Sequence, residues 1–361
     1  MAVASRHAGS DRRMTALARR EIGRTGLAVS VLGFGGAGIG NLYRQLSDED
    51  AIAAVRESYA AGVRYFDTAP FYGFGLSELR TGASLRGEQP ARDDGLTLST
   101  KVGRRLVPAG SQDPAIGREG YFSPRPFAPM FDYSYESVMH SHAESLERLG
   151  VARVDILLCH DIGRMTHGAQ HPARVREFVH GGYRAMLELK RDGRVRAIGL
   201  GVNETEVCVE LLQSCELDCI LLAGRYTLLE QPALAELLPL CERRGVSIIC
   251  GGPFNSGILA AGSKKAAQSH YNYAPPPAEV LERVRKLEEC CAEFGVPLQA
   301  AALQFPLGAS CVATVVAGCA NGAESRNVAT MFRHPIPAAF WRALRDRGLV
   351  DPKAALPGIA G

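Results

Sequence analysis

The chain has 361 residues, 46% of them hydrophobic and 22% charged, with a formal net charge of +3. That balance is ordinary for a globular protein with ample core material, and so small a charge gives no reason to expect a nucleic acid or an anionic membrane as partner. No run approaches the roughly 20 apolar residues of a membrane span, and the ten cysteines are scattered without a Cys-x-x-Cys pair, which suits small buried side chains in the reducing cytoplasm rather than a disulfide framework.

In chain order, residues 1–19 carry an arginine pair but no apolar run of secretory length, so they are expected to be a disordered extension, with the folded unit spanning 20–361. Residues 20–30 alternate around glycines and predict a short hairpin. A first strand follows at Val29–Gly36. Its tail, Gly33-Phe34-Gly35-Gly36-Ala37-Gly38, satisfies the G-x-G-x-x-G dinucleotide fingerprint, but that motif requires a helix to open at the third glycine. Here the first helix signal comes only at Ser47, followed by Asp48, Glu49 and Asp50 in the first turn, so a Rossmann fold is disfavoured.

From that point helices and strands alternate. Helices are predicted at Asp48–Ala61, Leu76–Leu85, Tyr135–Leu149, Tyr183–Arg191, Glu204–Cys215, Ala233–Arg243, Glu279–Phe294, Leu298–Leu307 and from Ala323 onward. The strands between them are predicted at Tyr65–Asp67, Leu96–Val102, Asp155–His160, Val195–Val202, Cys219–Gly224, Val246–Gly251 and Val312–Ala317. With Val29–Gly36 this makes eight strands, each followed by a crossover. Parallel strands need such crossovers, so the fold class expected is α/β, a closed (β/α)8 barrel whose bottom the hairpin plugs. Three insertions, Arg104–Asp132, Ile162–Gly182 and Gly257–Pro277, follow strands and therefore belong to the face where barrel enzymes keep their chemistry; their aromatics include Tyr121, Phe122, Phe127, Phe131, Tyr271 and Tyr273.

Three strand ends carry reactive side chains. Asp67 ends one, and Tyr72 sits five residues later on a Pro/Gly turn; Lys101 lies in Ser99-Thr100-Lys101-Val102, and His160 follows Leu157-Leu158-Cys159. Each alone has a plainer reading, a surface ion pair, a capped loop or a packing residue. His167 and His171 are four apart, but Gly168 and Pro172 argue against a helix presenting both to a metal, and no metal site is expected.

Together, these residues resemble the aldo-keto reductase family, whose pattern is an Asp, Tyr, Lys and His tetrad on a (β/α)8 barrel. The resemblance runs from about Glu21 onward and includes Leu32–Gly36, Asp67 to Tyr72, Ser99–Gly103, His160, Ile198-Gly199 to Asn203, and Gly318 to Asn327. Leu221–Leu229 and Gly252–Gly257 are similar to the branch that holds L-fucose, D-threo-aldose and pyridoxal dehydrogenases.

The resemblance implies a nicotinamide-dependent oxidoreductase in which Tyr72 removes a hydroxyl proton. A free tyrosine titrates near 10, so basicity near neutral pH needs a downward shift of about 2 to 3 units, about 3 to 4 kcal/mol. One ammonium about 4 Å away, at an effective dielectric of about 20, is worth about that much, so a neighbouring Lys101 suffices. Asp67 would hold that ammonium, and His160 would either donate a hydrogen bond to the substrate oxygen when neutral or relay a proton when charged.

By the same resemblance the cofactor spans the barrel mouth: Gly36, Ala37 and Asp67 beneath it, Asn203 on the carboxamide, Gly252, Phe254, Asn255 and Ser256 near the pyrophosphate, and Gly318, Cys319, Asn321, Glu324 and Asn327 at the adenosine end. The family's carboxamide-binding Gln falls at Ala223, and its nicotinamide-stacking aromatic falls at Gly251. Glu324 stands where a cation would hold a 2'-phosphate, which implies NAD over NADP, with Arg326 as a candidate cation that could restore phosphate binding. The substrate implied is a small molecule, an aldose hemiacetal such as L-fucose or D-arabinose oxidised to its lactone. Pyridoxal, also a cyclic hemiacetal, is the alternative, and a non-catalytic NAD-binding barrel is a third reading.

Overall fold

The computed structural model describes residues 16–86, 94–272 and 274–359. Strands β1 (Arg19–Ile22) and β2 (Leu27–Ser30) form the antiparallel hairpin, pairing Arg19 with Ser30 and Ile22 with Leu27. The barrel is built from β3 (Leu32–Gly35), β4 (Tyr65–Asp67) and β5 (Thr97–Val102). After a second antiparallel hairpin of β6 (Arg104–Pro108) and β7 (Phe127–Phe131), it continues with β8 (Ile156–His160), β9 (Ala197–Val202), β10 (Cys219–Ala223), β11 (Ser247–Gly251) and β12 (Val312–Gly318). The eight barrel strands are parallel and closed, β12 pairing back to β3 through Val315–Leu32 and Gly318–Gly35. The fold is a (β/α)8 barrel.

Closure explains the burial pattern. Strands sandwiched between a packed interior and an outer ring of helices bury both faces, which is why β5, β8, β9 and β11 are buried at every residue. Inside the ring, Tyr65, Ile156, Leu158, Ala197, Leu221 and Ile249 form one cluster with Ile22, Leu27 and Val29, so the hairpin does plug the barrel. The ten cysteines are unpaired thiols, all buried except the half-buried Cys311.

Several boundaries differ from expectation. Val29 belongs to the hairpin, opposite Arg20, and the first barrel strand begins only at Leu32. Ser30 makes the break: its hydroxyl donates to the Leu32 carbonyl and accepts from the Arg64 amide. The expected extension lies outside the described residues over 1–15. Its end at residue 19 is too late, because Arg19 is already in β1 and the Ala18 carbonyl accepts from the Val31 amide. After Gly38 there is only a short 3-10 turn, Gly38–Gly40, and no phosphate-facing helix.

The Arg104–Asp132 insertion contains the β6–β7 hairpin, which Pro108 and Pro129 mask in the sequence because proline is confined to strand edges. Residues 162–182 form helical turns at Arg164–His167 and His171–Glu177 and a π-turn at Phe178–Gly182. The single final helix is two, Gly322–Phe332 and Ala338–Asp346, separated where Pro335 and Pro337 cannot continue a helix. Tyr273 lies outside the described residues.

Candidate active site

Asp67 and His160 are the last residues of β4 and β8, and Lys101 is next to last in β5, so barrel closure brings them to one rim. Tyr72 is carried there by a tight loop: its amide donates to the Ala69 carbonyl, and its own carbonyl accepts from the Ser77 amide. Gly73 has φ +64, and a Cβ there would stand 2.2 Å from the Gly40 carbonyl oxygen, so only glycine lets the loop lie so close to the turn after β3. Ser123, from the insertion, donates to the Gly73 carbonyl at 2.7 Å and pins the loop from the other side.

Lys101 Nζ donates to Asp67 Oδ2 at 2.6 Å and to the Thr68 carbonyl at 2.9 Å, and it lies 4.7 Å from the centre of the Tyr72 ring. Both members of the ion pair are buried, the lysine side chain at 1% exposure and the aspartate at 4%, so the charges are held by each other rather than by water. Ser99 donates to Asp67 Oδ1 at 2.7 Å and contacts the Tyr65 hydroxyl at 2.9 Å. Burial pushes the Asp67 carboxyl above the usual carboxylate range, while Lys101 and Ser99 pull it back.

The His160 ring stands edge-on to Tyr72, centroids 5.8 Å apart. Burial, with Lys101 and then Arg104 adding to it, holds the imidazole well below its ordinary pKa, so the ring is neutral at neutral pH. Of the two roles that the resemblance implies, a hydrogen-bond donor is the one this environment suits. Phe71 and Tyr121 flank the same space, with Tyr121 partly stacked on Tyr72 at 6.2 Å and Phe71 set edge-on to His160 at 6.1 Å.

From Tyr72 and Asp67 a groove of about 900 Å³ runs across the barrel mouth, near the upper end of the size of ligand pockets. Gly36, Ala37, Gly252, Phe254, Ser256, Gly318, Cys319, Glu324 and Asn327 all line it. Its floor suits a long ligand: a Cβ on Gly318 would meet nothing nearer than 3.6 Å, so the backbone itself is open to approach there. Asn203 instead lines a smaller adjoining cavity of about 210 Å³ that shares Ala223, Gly252 and Ser256 with the groove. Asn255 is also there, its side-chain oxygen accepting from Thr227 at 2.7 Å.

Two of the residues named from the sequence have partners of their own. Asn321 does not line the groove; it caps the helix Gly322–Phe332, its Oδ1 accepting from the Glu324 amide at 2.9 Å. Arg326 is turned away, ion-paired to Glu57 at 2.8 Å, because its side of that helix faces the helix Asp48–Ala60. The cation in the groove is Arg44, 3.5 Å from Glu324, and Glu324 is further tied by the Ala320 amide at 2.8 Å. His167 and His171, where no metal was expected, have separate partners, the Tyr133 hydroxyl and Glu210.

Sequence reasoning missed Arg104 and Asp161. Arg104 NH1 donates to Asp161 Oδ2 at 2.7 Å, and Asp161 Oδ2 is 3.5 Å from His160 Nε2. Their positions, three residues after Lys101 and one after His160, were the available signal.

Residues 31–347 match the sequence profile of the Aldo/keto reductase family. The chain is 41% identical over 343 residues to a pyridoxal 4-dehydrogenase of Microbacterium luteolum, covering 92% of this chain and 98% of that one. It is 38% identical to a D-threo-aldose 1-dehydrogenase of a Pseudomonas species (90% and 96% covered) and 30% identical to an L-galactose dehydrogenase of Arabidopsis thaliana (88% and 89% covered). Among solved structures, an aldo-keto reductase of Bacillus halodurans in its holo form superposes with a TM-score of 0.68 at 24% identity, covering 95% of this chain and 98% of that one, a likeness of fold.

Proposed function

Since the chain belongs to the aldo/keto reductase family, whose members are nicotinamide-dependent oxidoreductases, we propose that it oxidises the ring hydroxyl of a cyclic hemiacetal to a lactone. An aldose of the L-fucose or D-arabinose type is the first reading. The observation that carries it is the buried Lys101–Asp67 pair set against Tyr72 at the end of a long groove. The relatives of D-threo-aldose and L-galactose specificity support the sugar. Pyridoxal is the second reading, favoured by the 41% identical relative.

A bound nicotinamide would supply the hydride acceptor, taking the C–H bonding pair from the carbinol carbon. The chain's own residues account for the proton. Tyr72, as phenolate, takes it from the hydroxyl as the C–O bond becomes C=O, and the Lys101 cation lowers the energy of that phenolate. That attraction is offset in part by the Asp67 charge beside the same ammonium. His160, neutral, steadies the substrate oxygen. Gly318, Glu324 and Asn327 would receive the adenosine end, and the Glu324 carboxylate, repulsive to a 2'-phosphate but able to accept from a ribose hydroxyl, makes NAD the preferred cofactor.

Reduced cofactor formation from L-fucose, D-arabinose, L-galactose and pyridoxal, each with NAD and with NADP, tests both readings. Turnover of none of the four would leave the non-catalytic barrel as the better account.

A further inference from the structure

Arg104 opens the hairpin β6–β7, and both terminal nitrogens and the face of its guanidinium have partners. It stacks 3.3 Å from the centre of the Phe71 ring and 4.8 Å from that of Phe131, and its two terminal nitrogens reach Asp161 at 2.7 Å and Glu119 at 2.8 Å. Its side chain is 10% exposed, so its charge is held by the two carboxylates rather than by water. Asp161 in turn keeps a left-handed backbone, φ +50, unusual for a residue with a side chain. That conformation sets its carboxylate beside the His160 ring.

The His160 ring nitrogens differ. Nδ1 is buried and has no hydrogen-bond partner among the described residues. Nε2 lies 3.5 Å from Asp161 Oδ2, too long for a strong hydrogen bond but close enough for the charge to matter. A proton on Nδ1 would be a buried donor without an acceptor, while the bare Nε2 lone pair would face a carboxylate. A proton on Nε2 faces the carboxylate and leaves only a bare acceptor at Nδ1. Because Nδ1 is sealed off, Nε2 is also the nitrogen left to meet a ligand.

We infer that Arg104 and Asp161 are positioning residues for His160: the guanidinium fixes the carboxylate, and the carboxylate keeps the ring proton on Nε2, where it can be donated to the substrate oxygen. This rests on the proposed reaction only in that last step. The hairpin insertion is thereby part of the catalytic apparatus and more than a wall of the substrate pocket.

Nitrogen-15 spectra of the histidine rings test it on the protein without substrate, with His160→Asn used to assign the signal. The wild type is expected to show His160 protonated at Nε2. Asp161→Gly, which suits the left-handed backbone, and Arg104→Met are expected to give a mixture of the two tautomers, because only the missing acceptor at Nδ1 then favours Nε2, with Arg104→Lys restoring the wild-type pattern. On whichever hemiacetal is turned over, kcat of Asp161→Gly should fall about 10- to 100-fold with KM for the dinucleotide unchanged. If Asp161→Gly melts early, Arg104→Met against Arg104→Lys carries the same comparison. An unchanged Nε2 signal in Asp161→Gly or Arg104→Met overturns the inference whatever the turnover. A lost Nε2 preference in a protein that oxidises no hemiacetal would count against the proposed function and leave the inference standing.

Discussion

The Lys101 ammonium lies 4.7 Å from the centre of the Tyr72 ring while ion-paired to Asp67 at 2.6 Å. A buried cation at that range favours the phenolate over the phenol, which is the electrostatic requirement of a tyrosine base. Tyr72→Phe keeps the ring and removes the proton acceptor. We expect kcat to fall about 10²- to 10⁴-fold while NADH binding, followed by fluorescence titration, is unchanged. Turnover within twofold of wild type would rule Tyr72 out as the base.

The same ion pair separates stability from activity. Asp67→Asn leaves the Lys101 charge buried without its counter-ion and should lower stability by about 3 to 5 kcal/mol in urea unfolding. The double variant Asp67→Leu with Lys101→Met removes both charges and should recover most of that loss. It should stay inactive all the same, and an active double variant would show that the cation is dispensable.

Gly73 holds the Tyr72 loop against Gly40. Because a Cβ would stand 2.2 Å from the Gly40 carbonyl oxygen, and φ is +64, Gly73→Ala must displace the loop that carries Tyr72. Turnover should drop about tenfold or more, since misplacing a reacting group by about 1 Å can cost 10²-fold. Steady-state kinetics on a variant that melts within a few degrees of wild type provide the check.

Glu324 and Arg44 face each other at the far end of the groove. The wild type is expected to favour NAD over NADP about tenfold or more in kcat/KM. Glu324→Gln removes the repulsion and releases Arg44, so the ratio should move toward NADP by about tenfold, about 1.4 kcal/mol. A wild-type preference for NADP would overturn the assignment of Glu324.

His142 is fully buried on the helix Tyr135–Leu149, with neither ring nitrogen partnered among the described residues, and burial lowers its pKa to about 4. The folded state therefore binds this proton less readily than the unfolded one. Its contribution is fully present above about pH 6.5 and is lost as pH falls toward 4, by about 3 kcal/mol. His142→Gln should flatten the acid side of the melting-temperature profile. An unchanged slope between pH 6.5 and 4 would show that His142 does not titrate there.

The eight-strand barrel count, the helix Tyr135–Leu149 to the residue and the positions of Asp67, Lys101 and His160 at or next to strand ends were legible in the sequence, because strand and helix periodicity are local signals. The β6–β7 hairpin was not, since its prolines and mixed polarity read as a loop until its strands pair with each other. The direction of Arg326 was illegible for a related reason: a position on a helix says nothing of which neighbour, Glu57 or the groove, its side chain meets.

Local chemistry thus determined the alternation of barrel strands and helices and the barrel class, since each depends on residues a few positions apart, while the four reactive side chains stood out only through resemblance to a family. Closure of the ring decided the rest: that Lys101, from β5, touches both Asp67 and the Tyr72 ring, that Arg44 is the cation opposite Glu324, and that Arg104 reaches Asp161 across 57 positions of chain. These are contacts between elements distant in sequence. Their distances follow from the packing of the whole barrel, which no single stretch encodes.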